Sequence, residues 1–136
     1  MAKRVLFVAS NPSAKSPDCS AMHPSTRSRK ILDGWLKDIT IDAIYTNVSN
    51  VKTTENKPLD AANILNNLHY LELKIAAALP DHIIALGDTA SRALKLLGVP
   101  HTRIEHPSGL NRKLNNSKNV EAIKLTLRQI SLGIIT

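Results

Sequence analysis

Short, wholly apolar runs alternate with longer amphipathic stretches along this chain, and that alternation constrains the fold more than any other feature. Val5–Ala9 is apolar at every position, and so is Ile83–Leu86. Runs this short suit strands covered on both faces, not helices. Ser25 is placed to cap a helix over about Thr26–Lys37, with Ile31, Leu32, Trp35 and Leu36 on one face. Ile41–Thr46 reads as a second strand, followed by a polar loop over Asn47–Pro58. Asp60 is placed to cap a long helix to about Leu79, in which Leu65, Leu68, Leu71 (or Glu72), Ile75 and Leu79 recur at helical spacing, and Pro80-Asp81 breaks it. His82–Leu86 is a third strand. Gly87-Asp88 turns into a helix over Thr89–Leu97 that Gly98 ends. Val99–Glu105 holds a fourth strand, and Ser117 or Asn119 starts a last helix to about Leu132.

Strand–helix alternation predicts an α/β fold: three layers, α/β/α, around a four-stranded parallel sheet. Crossovers in such a sheet are right-handed, and ligands sit beyond the carboxyl ends of the strands. Those ends carry Asn11-Pro12-Ser13, Asn47, Gly87-Asp88 and His106-Pro107-Ser108. All four are therefore expected on one edge. No repeat, low-complexity segment or linker interrupts the chain, so one domain over 1–136 is expected.

Apolar runs such as Ile75–Leu79 are far too short to cross a bilayer. Met1-Ala2-Lys3-Arg4 is basic, but the five apolar residues after it are too few for a signal-peptide core. A single cysteine, Cys19, excludes an internal disulfide and cysteine-based metal sites, and the five histidines show no metal-ligand pairing. The expected compartment is the cytoplasm, the expected state a monomer, and no metal or cofactor is expected. The net charge of +7 favours polyanionic partners, nucleic acid first, and basic residues cluster at Arg27-Ser28-Arg29-Lys30 and at Arg112-Lys113. At 3% aromatic residues, an extended base-stacking platform is not expected.

Four segments, in order, resemble the uracil-DNA glycosylase superfamily. Phe7-Val8-Ala9-Ser10-Asn11-Pro12-Ser13 resembles the first motif of the mismatch-specific and thymine-DNA glycosylases. Tyr45-Thr46-Asn47-Val48 is similar to the strand end that places a base-reading asparagine. Ile83-Ile84-Ala85-Leu86-Gly87-Asp88-Thr89-Ala90 is similar to the family's strand-to-helix turn, and His106-Pro107-Ser108-Gly109-Leu110-Asn111 resembles the second motif in its His-Pro-Ser form. The chain departs from the pattern at Ala9 and Ser13, and no Phe follows the first motif, so Met22 or His23 would stand where the family stacks an aromatic on the base.

The resemblance implies a minimal, monofunctional, cofactor-free glycosylase that hydrolyses the N-glycosidic bond of uracil or a related deaminated base in DNA. Asn11 would position the water, or else merely close the turn before Pro12. His106 would donate a hydrogen bond to the base as charge develops there, or else satisfy a strand end. Asn47, Ser10, Met22 and His23 would line the base pocket, with Asn47 alternatively capping its loop. Ser13, Ser108, Gly109, Asn111, Arg112 and Lys113 would contact DNA, and Leu110 would be a wedge or a core leucine. Asp18 is a further candidate carboxylate, and His23-Pro24-Ser25 repeats the tripeptide without following a strand. A second reading is a non-catalytic module that binds a base or nucleotide in the same pocket.

Overall fold

The computed structural model describes residues 2–12, 16–49, 59–108 and 111–134. Among the described residues the sheet has four strands, β1 (Lys3–Ala9), β2 (Ile41–Asn47), β3 (His82–Leu86) and β4 (Thr102–Ile104), all parallel and ordered β2-β1-β3-β4. Its helices are α1 (Arg27–Trp35), α2 (Ala61–Ala78), α3 (Asp88–Leu96) and α4 (Ser117–Ser131). One turn of 3-10 helix, Arg112–Asn115, precedes α4.

The unbroken apolar run of β1 has a direct cause: the strand is central and both its faces are dry. Val5, Phe7 and Ala9 pack with Leu32 and Trp35 of α1 and with Ile123, Leu127 and Ile130 of α4. Leu6 and Val8 point the other way, to Ile64 and Leu71 of α2 and Ala90, Ala93 and Leu94 of α3. Two cores on either side of one sheet make the three layers. Each of the larger side chains contributes about 1.5–3 kcal/mol on full burial.

Strand order places the functional edge. The chain goes from β1 through α1 to β2, then returns through α2 to β3 on the far side of β1. With crossovers of one hand, reversing direction must move the helices to the other face, and α1 does lie opposite α2 and α3. The reversal opens a crevice between the carboxyl ends of β1 and β3.

Several boundaries differ from the sequence expectation. Thr26, not Ser25, caps α1: its backbone is extended and its Oγ1 accepts the Arg29 N–H at 3.3 Å. Ser25 instead donates its N–H and hydroxyl to His23 Nδ1. The helix also stops at Trp35, short of Lys37, with Leu36 as its C-cap. β2 runs one residue further than expected, because Asn47 still pairs with Ala9. Gly87, at φ +91°, forms the N-cap of α3, so that helix starts at Asp88 and ends at Leu96. β4 is shorter than Val99–Glu105. Val99 is spent on the α3 terminus, where its N–H meets the Leu94 carbonyl, and the His101 ring binds Ser91 Oγ and the Val99 carbonyl. Beyond Ile104, β3 has ended and offers no partner. Asp60 caps α2 as expected, its carboxylate accepting the Asn63 N–H at 2.8 Å.

Candidate functional site

A cavity of about 390 Å³ opens at the carboxyl edge of the sheet, between the ends of β1 and β3. Ser10, Asn11, Met22, His23, His106, Ser108 and Asn111 all line it. They come from three separate stretches of chain.

The β1 end is built first. Val48 N–H donates to the Ala9 carbonyl (2.8 Å) and Ser49 N–H to the Ser10 carbonyl (3.0 Å), which carries the β1–β2 ladder past the strands and fixes Ser10. The Ser10 hydroxyl then donates to Asn11 Oδ1 at 2.8 Å, orienting the amide.

Met22 is buried at φ +50°, a region that a side-chain-bearing residue seldom adopts. Arg29 holds it there: one guanidinium nitrogen donates to the Met22 carbonyl at 2.9 Å. Arg29 is itself fixed by Asp33 at 3.0 Å and lies 4.1 Å above the Tyr45 ring. One member of the first basic cluster is thus turned inward to brace the cavity wall. His23 Nδ1 accepts the Ser25 N–H at 3.1 Å, so its proton sits on Nε2, which lies 3.9 Å from Asp18 Oδ2.

His106 enters as the chain leaves β4. Gly87 N–H donates to the Ile104 carbonyl at 2.9 Å, and a Cβ built on Gly87 would come within 3.3 Å of His106 Cβ. Burial pushes the imidazole below the ordinary histidine range, so the ring is neutral at pH 7 and has one N–H to donate. Asn111 braces the loop from below. Its Nδ2 donates to the His106 carbonyl (3.1 Å) and to Glu105 Oε1 (3.4 Å), while its Oδ1 accepts the Lys113 N–H (3.1 Å). Glu105 also pairs with Arg103 at 2.9 Å, and its carboxyl is held below the usual range by the Arg103 and Asn111 hydrogen bonds against the opposing effect of burial.

Other candidates lie elsewhere. Asn47 is not on the cavity wall. Its side chain is 2% exposed, with Nδ2 3.5 Å from the Cys19 carbonyl, because the residue closes the β1–β2 ladder in the interior. Its own carbonyl accepts Lys74 Nζ at 3.3 Å, and burial lowers the affinity of that amine for its proton. Arg112 and Lys113 begin the 3-10 turn, off the cavity. Lys113 Nζ lies 3.8 Å from Glu105 and lines a shallower groove with Arg103 and Asn119. Ser13, Gly109 and Leu110 lie outside the described residues. Asp18 holds the Ser20 N–H and hydroxyl at 2.8 and 2.6 Å and is not part of the cavity lining.

The cavity also takes in residues to which the sequence reading gives no site role: Gly87, Asp88 and Thr89 at the start of α3, and Thr26 and Ser28 at the start of α1. The rule that ligands sit at strand ends already placed Gly87-Asp88 on this edge, and that was the available signal. The hydroxyls on α1 come from the chain after β1 folding back over the edge. Nothing local in the sequence marks that.

Across the chain, a family model described as the uracil DNA glycosylase superfamily matches residues 2–129. No curated protein matches at a significant level.

Proposed function

Because the chain belongs to the uracil-DNA glycosylase superfamily, we propose that it hydrolyses the N-glycosidic bond of uracil, or of a related deaminated base, in DNA. One observation carries this reading: Asn11 and His106, 95 positions apart by their numbers, line one cavity at the switch point of the sheet.

Cleavage builds positive charge on the sugar and negative charge on the departing base. A neutral His106 suits the second need. It donates a hydrogen bond to the base oxygen without first losing a proton, and a preorganised donor in a partly dry site contributes roughly 3 kcal/mol. Asn11, oriented by Ser10, holds the attacking water by its amide. Met22 supplies a polarisable wall for the flat face of the base. The base must first leave the stack, at a cost of roughly a few kcal/mol, and the chain's net charge of +7 favours the polyanion that delivers it.

The test is excision of uracil from single- and double-stranded oligonucleotides. Wild-type protein is expected to release uracil, and His106→Gln to lower the rate about 10²–10³-fold. Asn11→Ala is expected to fall by about 10²-fold or more. No release at high protein concentration, with free uracil bound and recovered intact, would instead establish a binding module.

A further inference from the structure

We propose that Asp88 is the proton acceptor for the attacking water, an inference that rests on the glycosylase reading above. Among the described residues, Asp88 is the sole carboxylate lining the cavity that Asn11 and His106 share. A carboxylate there complements Asn11, whose amide can hold a water but cannot take up a full proton. Asn11 Oδ1, moreover, already accepts the Ser10 hydroxyl.

The placement of Asp88 is built, not incidental. Arg103 Nε lies 2.6 Å from Asp88 Oδ1, and another nitrogen of the same guanidinium lies 2.9 Å from Glu105 Oε2. This carboxylate–guanidinium–carboxylate chain ties the first residue of α3 to the end of β4, where His106 emerges. Gly87 makes a second tie, through its N–H to the Ile104 carbonyl, and lies so near His106 that an added Cβ would come within 3.3 Å of its Cβ. Carboxylate and imidazole therefore keep a fixed relation. The Asp88 side chain is 82% exposed, so solvent water reaches it directly.

The step balances as follows. The water oxygen bonds to the sugar C1′, and the C1′–N1 bond breaks with its electron pair leaving on the base. The water proton passes to the Asp88 carboxylate and then to solvent. His106 keeps its own proton and holds the base anion by a hydrogen bond.

Single-turnover excision by Asp88→Asn and Asp88→Ala tests this, with oligonucleotide affinity measured by fluorescence anisotropy. Asp88→Asn is expected to slow excision about 10²–10³-fold while affinity changes by less than about threefold. Added formate is expected to restore part of the Asp88→Ala rate, since a small carboxylate can replace a lost base but not a lost structural contact. A rate for Asp88→Asn within about threefold of wild type overturns the assignment alone. So does a slow Asp88→Ala that formate leaves unchanged, which would make Asp88 a structural partner of Arg103. A wild-type protein inactive on every uracil substrate removes the glycosylase reading, and this assignment with it.

Discussion

At Gly87 two requirements meet: a backbone φ of +91°, and a neighbour so near that an added Cβ would sit 3.3 Å from His106 Cβ. Gly87→Ala combines a left-handed backbone with a displaced His106 ring. It is expected to cost about 1–3 kcal/mol of stability and to slow uracil excision. A thermal melt and an excision assay read the two effects separately, and an unchanged melting midpoint would show that the loop yields without strain. At this scale the sequence was informative where chemistry and chain position coincide. Asn11 and His106 stand just past apolar strands, so both could be placed on the edge. Asn47 stands at the end of β2, as its position implied, but its burial beside the Cys19 carbonyl, away from the cavity lining, depends on the loop after β1, which no local pattern encodes. Asp88 was placed on the edge, but its pairing with Arg103 depends on two strand ends meeting, which no local pattern encodes.

Among the elements, α1 shows how a boundary is decided. Ser25 and Thr26 are both acceptable caps by type. Thr26 wins because its hydroxyl donates to the His23 carbonyl at 2.7 Å while accepting the Arg29 N–H, and because Ser25 is already engaged by the His23 ring. Thr26→Ala is expected to cost about 1 kcal/mol, and Ser25→Ala less than about 0.5 kcal/mol. Urea unfolding of the two variants would reverse the assignment if Ser25→Ala proved the more damaging. The order and kind of the strands and α-helices were legible from hydrophobic period together with caps and Gly or Pro breaks, because β1 and β3 are buried on both faces and the helices on one. Their ends were less so, since they are set by tertiary partners such as the Leu94 carbonyl that takes the Val99 N–H. The 3-10 turn at Arg112–Asn115 was missed altogether, being a single turn capped by Asn111.

For the whole molecule, protonation couples to folding through His106 and His82. Burial holds both imidazoles below their ordinary value of 6.5, with the Lys3 charge adding at His82. The unfolded chain therefore binds more protons than the folded one once the pH drops below about 6.5, and stability falls with it. Glu105 acts in the same direction at lower pH. Its carboxyl is held below 4.5 when folded, so its contribution is present above that value and is lost as the pH falls through the folded one. Denaturation midpoints between about pH 8 and pH 5 are expected to decline, and less steeply in a His82→Gln, His106→Gln double variant. A flat profile in the wild type would contradict the burial of both rings. The same sheet order that opens the cavity also governs how the chain is made. β1 is complete at Ala9, but β3, which covers its second edge, starts only at His82. During synthesis, at about 5–20 residues per second, an apolar strand waits several seconds with one ladder edge bare. A newly made chain is therefore most open to aggregation at β1, and release from that state comes only when β3 has emerged.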